Sequence, residues 1–116
     1  MIDLASVAVV LTTIGADADG VALGRALVDE GLAACVNVLP PMQSVYRWQG
    51  AVQVEREQQL VIKTAPSRLA ALEARLHQLH PYDVPEFLVL GAEASVAYTE
   101  WVRLSTREEG YGPESA

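Results

Sequence analysis

The densest set of reactive side chains in this sequence is His80-Pro81-Tyr82-Asp83-Val84-Pro85-Glu86. An imidazole, a phenol and two carboxylates lie within one short segment. Imidazole suits borderline divalent ions such as copper or zinc, and the carboxylates of Asp83 and Glu86 add negative potential. The two prolines make the segment stiff. Pro81 cannot continue a helix, and each X-Pro unit holds His80 and Val84 toward extended geometry. A loop of this kind is either a placed site or a rigid turn whose polar groups face water.

Other residues offer chemistry more weakly. Lys63 is the sole lysine, at the end of an apolar run; it is a candidate contact for an anion or carboxylate, or a lysine that snorkels to the surface. Cys35 sits in Leu32-Ala33-Ala34-Cys35-Val36, where a small buried hydrophobe is the common outcome and a metal ligand the alternative. Glu73, His77 and His80 fall on one helical face, but i, i+3 histidines alone are a weak metal signal. Tyr46 and Trp48 share one face of a strand and suit either a partner subunit or a pocket floor. Neither HExxH, a CxxC pair, a P-loop nor GxSxG is present, so the standard catalytic motifs are lacking.

The elements that position these residues follow from periodicity. Residues 5–11 are near-continuously apolar, as in a strand buried on both faces. Residues 12–20 are a turn-rich connector with Asp17 or Asp19 as candidate caps. Over 21–30, Leu23, Ala26, Leu27 and Glu30 recur at helical spacing, and Gly31 is placed to stop the helix. Residues 32–39 predict a second strand, bent at Pro40-Pro41 and resumed over 44–48. Gln49-Gly50 signals a hairpin whose return strand covers 51–64.

The polar middle of that return strand, from Glu55 to Gln59, suggests an arm that projects beyond the core and packs on another chain, or else a solvated ribbon. Pro66 suits a helix start, with Ser67 or Thr64 as cap, and Leu69, Leu72, Leu76 and Leu79 form one apolar stripe. Residues 87–90 predict a buried strand. Ser95 opens a last helix, with Tyr98, Trp101 and Val102 or Leu104 facing inward. The order is β-α-β-β-α-β plus one helix, which is an α+β, ferredoxin-like split-βαβ sandwich with an additional C-terminal helix. One domain over 1–106 is expected, with 107–116 as a loose tail.

The 116 residues are 51% hydrophobic with a net charge of −7. One core is affordable at this length, and no apolar run is long enough to span a bilayer. The acidic balance argues against nucleic acid, whose phosphates need clustered cations. A single cysteine and a non-basic N-terminus point to the cytoplasm, with no membrane partner.

The chain resembles the CutA family of divalent-cation tolerance proteins. The matching residues are Ala26-Leu27-Val28 through Gly31-Leu32-Ala33-Ala34-Cys35-Val36-Asn37, then Ser44-Val45-Tyr46-Arg47-Trp48-Gln49-Gly50. Val61-Ile62-Lys63-Thr64, the His80–Glu86 segment and Tyr98-Thr99-Glu100-Trp101 complete the set, so the resemblance spans about residues 7 to 104. It implies a PII-like homotrimer joined by the long hairpins, with Tyr46 and Trp48 at the trimer interface. It also implies a role in tolerance to copper and other divalent cations.

Some members bind copper through a cysteine at the end of the first strand and a histidine pair before Pro-Tyr. Thr12 and Leu79-His80 stand at those positions here, which leaves His80 as the main expected ligand and Cys35 as the cysteine typical of the family. The expected cleft brings Lys63, Tyr82, Glu86 and His80 together near a subunit boundary, with Glu57 nearby. No cofactor is obligatory, and weak, exchangeable copper or zinc binding is expected. The rival readings are a PII-like signalling module that takes a small anionic metabolite between subunits, and an acid–base enzyme using His80 and Glu86.

Overall fold

The structure is a computed structural model that describes residues 4–107. The expected loose tail lies, but for Arg107, outside the described residues. The elements run β1 (Leu4–Gly15), α1 (Gly20–Asp29), β2 (Cys35–Val38), β3 (Met42–Trp48) and β4 (Ala51–Thr64). A single 3-10 turn (Pro66–Arg68) then leads into α2 (Leu69–Leu79), β5 (Leu88–Ser95) and α3 (Val96–Ser105).

All strand pairs are antiparallel, in the order β2-β4-β1-β5, with β3 also on β4. This is the expected ferredoxin-like order with one added helix. β4 is the spine. Its first half pairs with β3, from Trp48↔Ala51 to Met42↔Glu57. Its second half pairs with β2 on one side and β1 on the other, through Cys35↔Lys63 and Val9↔Lys63.

Local chemistry explains the boundaries. Asp19 caps α1 by accepting the Ala22 N–H at 2.9 Å. The helix ends in a Schellman pattern, with the Gly31 N–H donating to Val28 O and the Leu32 N–H to Leu27 O. Gly31 has φ +72°, and a Cβ there would meet the Arg107 carbonyl at 2.6 Å. At the hairpin tip Gln49 and Gly50 both have positive φ, as a two-residue turn matched to strand twist requires.

Alternation divides the sheet into two faces. Val10 and Ile62 pack with Leu27, Leu72 and Leu76 of α1 and α2, all essentially inaccessible. Each such side chain contributes about 1.5–3 kcal/mol by leaving water. The opposite face is covered only at one end, where Val102 of α3 packs on Val7, Ala34 and Ala65.

Several expectations need correction. β1 is longer than 5–11, because Thr12 and Thr13 continue the ladder opposite Leu60 and Gln59. β2 is shorter than 32–39, since Leu32 to Ala34 bury in the turn that leaves Gly31. Neither Ser67 nor Thr64 caps the turn at Pro66; the Thr64 hydroxyl instead donates to Leu32 O at 2.8 Å. Leu88, Val89 and Leu90 are not buried, because β5 is an edge strand and only one end of the open face is roofed. Tyr98 and Trp101 also face outward; only Val102 of the expected inward set is fully enclosed. The polar middle of β4 is split. Residues up to Arg56 are exposed, whereas Glu57 and Gln58 are buried.

Candidate acidic cleft

The site lies where β4 changes partners. Gly15↔Glu57 ends the β1 ladder and Met42↔Glu57 begins the β3 ladder. β5 pairs with β1 only as far as Leu88↔Leu11. The edge of β1 beyond that point has no strand partner, and the loop after α2 fills the gap. His80 caps α2, its N–H donating to Leu76 O at 2.8 Å, and turns extended as the residue before Pro81 must.

The His80 ring is fully engaged. Its Nε2 lies 2.7 Å from Thr13 O, and a carbonyl can only accept, so Nε2 carries the proton. Nδ1 therefore holds a lone pair, which accepts the Tyr82 N–H at 3.1 Å. Burial lowers the imidazole below its ordinary pKa, against the opposing pull of the Thr13 carbonyl and of Glu57. The Tyr82 ring leans on His80 at a centroid distance of 4.7 Å, and its hydroxyl donates to Glu57 Oε2 at 2.7 Å. Burial and that bond to a carboxylate raise the Tyr82 phenol, so it stays a donor. Glu86 is also raised, first by burial and then by the Glu57 charge.

The result is an open cleft of about 770 Å³ between the hairpin and the loop after α2. Tyr46, Trp48 and Met42 form the hairpin wall, and Pro81, Tyr82 and Pro85 the other. Glu57, Asp83 and Glu86 supply three carboxylates, and among the described residues no lysine or arginine lines it. Glu57 is only 6% exposed although it sits in the most polar run of the sequence.

The structure thus places Tyr82, Glu86 and Glu57 in one cleft with Tyr46 and Trp48. It separates others. His80 stands behind the cleft, 6% exposed, with no nitrogen to offer a metal or a substrate proton. The expectation of His80 as chief metal ligand is therefore corrected to a support for Tyr82, because both ring nitrogens are spent on backbone groups. The His80–Glu86 acid–base pair meets the same obstacle.

Lys63 is six residues along β4 from Glu57, about 20 Å at roughly 3.3 Å per residue. It is not in the cleft of its own chain. Cys35, paired across from Lys63, is half-buried and equally remote, so Cys35 and His80 do not share an ion within one chain. Thr12 points into the helix-covered core, with its hydroxyl buried and unpartnered. His77 and Glu73 are exposed. Among the described residues no group of three or more His, Cys, Asp or Glu side chains could hold a metal.

Gln58 is a site-shaping residue that sequence reasoning missed. Its amide donates to Gly15 O at 3.0 Å and to Ala18 O at 2.8 Å, pinning the β1–α1 loop beside Glu57. A polar residue next to Glu57 carried no distinguishing signal.

Residues 8–105 match the family of the CutA1 divalent ion tolerance protein. The divalent-cation tolerance protein CutA of Thermus thermophilus is 42% identical over 99 residues, covering 84% of this chain and 96% of that protein. The chloroplastic protein CutA 1 of Oryza sativa is 43% identical over 101 residues, covering 86% of this chain but only 57% of that longer protein. Among solved structures, CutA from Synechococcus elongatus PCC7942 has a TM-score of 0.82 at 43% identity, over 90% of this chain and 96% of that one. The PII-like protein CutA from Nostoc sp. PCC 7120, in apo form, has a TM-score of 0.81 at 33% identity, over 86% of this chain and 97% of that one.

Proposed function

The chain belongs to the CutA1 divalent ion tolerance family, and from that premise we propose that it serves the response to divalent metal ions as a non-enzymatic cytoplasmic homotrimer. Its cation site is the acidic cleft, and binding there is weak and exchangeable. The observation that carries this reading is the convergence of Glu57, Asp83 and Glu86 on one cleft, where burial and the charge of Glu57 raise the Glu86 carboxyl. A carboxyl whose charged form is disfavoured by burial and by a neighbouring negative charge gains from a cation.

The donor set fits modest affinity. Glu57 has one oxygen committed to Tyr82, so the other and the Glu86 carboxyl are the available hard ligands. With no three-ligand group among the described residues, one chain does not build a tight site. Copper or zinc binding through carboxylates alone stays exchangeable. Three carboxylates in the lining also disfavour an anionic metabolite. No described helix is long and apolar enough to cross a membrane.

The trimer rests on the arm. Val45, Val52 and Val54 are exposed on one face of the hairpin, and Tyr46 and Trp48 on the other. A two-stranded ribbon apolar on both faces is unstable in water without something packed against it.

Calorimetric titration with Cu²⁺ and with Zn²⁺ tests the site. Glu57→Gln and Glu86→Gln are expected to weaken binding about tenfold or more, which is ~1.4 kcal/mol, while Cys35→Ser leaves it unchanged. Loss in Cys35→Ser alone, or no binding at millimolar metal, overturns the cleft assignment. Sedimentation equilibrium tests the assembly, and a stable monomer at micromolar concentration refutes it.

A further inference from the structure

Among the described residues no lysine or arginine lines the cleft, and the same sheet face carries a lysine that no described carboxylate pairs with. Lys63 is the sole lysine of the chain and is half-buried. Among the described residues no carboxylate pairs with it. It lies on the face of β4 that Glu57 occupies, since an even number of residues separates them. Within one chain the two ends stay about 20 Å apart at roughly 3.3 Å per residue, more than both side chains together can bridge. The cross-strand neighbours of Lys63 are Val9 and Cys35, neither of which offers an anionic partner, and an ammonium set among such groups favours an anion.

We infer that the Lys63 ammonium of a second copy of this chain enters the cleft and pairs with Glu57 and Glu86. This rests on the homotrimer reading above and names what one subunit contributes to the next subunit's site. The contact joins unlike patches, the Lys63 end of one copy and the cleft of another. Head-to-tail contacts of this kind close into rings when the rotation allows. The contact also covers Leu88 and Leu90, which share the open face with Lys63 and are each 48% exposed. Three carboxylates against one ammonium leave the cleft net negative, and an exchangeable cation entering it competes with the ammonium for Glu57 and Glu86 and has Asp83 to itself.

The test exploits the single lysine. A zero-length carbodiimide joins an amine to a carboxylate only where the two touch. Equal amounts of ¹⁵N-labelled and unlabelled full-length chains are mixed, reassembled and cross-linked, and the linked peptides are read by mass spectrometry. The expected products are Lys63–Glu57 or Lys63–Glu86 peptides with one light and one heavy half. A trimer whose Lys63 links only to other carboxylates, or to none, overturns the inference and leaves the homotrimer reading intact. A monomer by sedimentation in the same sample removes the homotrimer reading itself. As a second arm, Lys63→Glu is expected to weaken assembly at least tenfold and Glu86→Lys to restore it in the double variant, with circular dichroism confirming folded subunits. Unchanged assembly in Lys63→Glu overturns the inference.

Discussion

The two faces of the sheet are finished to different degrees. On the helix-covered face, Val10, Ile62, Leu27, Leu72 and Leu76 enclose one another, and Thr64 and the end of α1 find their hydrogen bonds within the chain. On the open face and along the hairpin arm, Trp48, Tyr46, Leu88 and Leu90 remain accessible, and among the described residues no carboxylate pairs with Lys63. The first face supplies the stability of one subunit. The second is the face on which the proposed subunit contacts fall, and the acidic cleft lies at its border with the arm.

The largest expected effect breaks the finished face. Leu76→Ala leaves a cavity among fully enclosed neighbours and should cost about 2–5 kcal/mol of folding stability, read by urea unfolding. The arm variant Val54→Ala should cost far less by the same measurement. Similar costs at both positions would erase the distinction between the faces.

Next in size is assembly. Trp48→Ala should weaken subunit association by ~2 kcal/mol, the size of an aromatic hot spot, and more than Trp101→Ala does. Sedimentation equilibrium decides it. If Trp101→Ala dissociates the assembly and Trp48→Ala does not, the working surface is α3 and not the arm.

Tyr82→Phe sharpens the border between the regions. It removes the donor to Glu57 and leaves a mostly buried carboxylate with one partner fewer, a loss of about 1–3 kcal/mol. Urea unfolding of the variant at neutral pH checks it, and an unchanged midpoint would mean that water replaces the phenol.

The smallest effect is in pH. His80 titrates below its ordinary value of about 6.5 in the folded chain. Above 6.5 it is neutral in both states, and its two ring bonds contribute fully. As pH falls from 6.5 through the lowered folded value, the unfolded chain takes up the proton first, so stability drops across that window. Glu86, raised on folding, works in the opposite sense. Between about 4.3 and its raised value the folded chain takes the proton first, and stability rises on acidification. Urea midpoints measured from pH 5 to 8 should lose part of their acid-side fall in His80→Gln. An unchanged slope would place the titration elsewhere.

Legibility followed the range of the interactions. The hairpin turn at Gln49-Gly50, the extent of β4, the Asp19 and Ser95 caps and the α2 stripe all depend on residues close in sequence, and each is found as expected. The exposure of β5 is not legible, because Phe87-Leu88-Val89-Leu90 has the same apolar pattern at an edge as in a sheet centre. The cleft was half legible. Its loop announces itself through two prolines, whereas Glu57 and Gln58 are polar residues in a polar run, and nothing local marks them as buried.

From its own residues the sequence determined the family, the order of elements and the stiffness of the segment from His80 to Glu86, because turn chemistry, periodicity and proline act over a few positions. Only the tertiary structure decided that His80 spends both nitrogens on Thr13 and Tyr82, that Glu57 takes the Tyr82 hydroxyl, and that Lys63 lies far from both along β4. Those outcomes depend on strand register and on where β5 leaves β1. Register is a property of paired strands, and no single segment carries it.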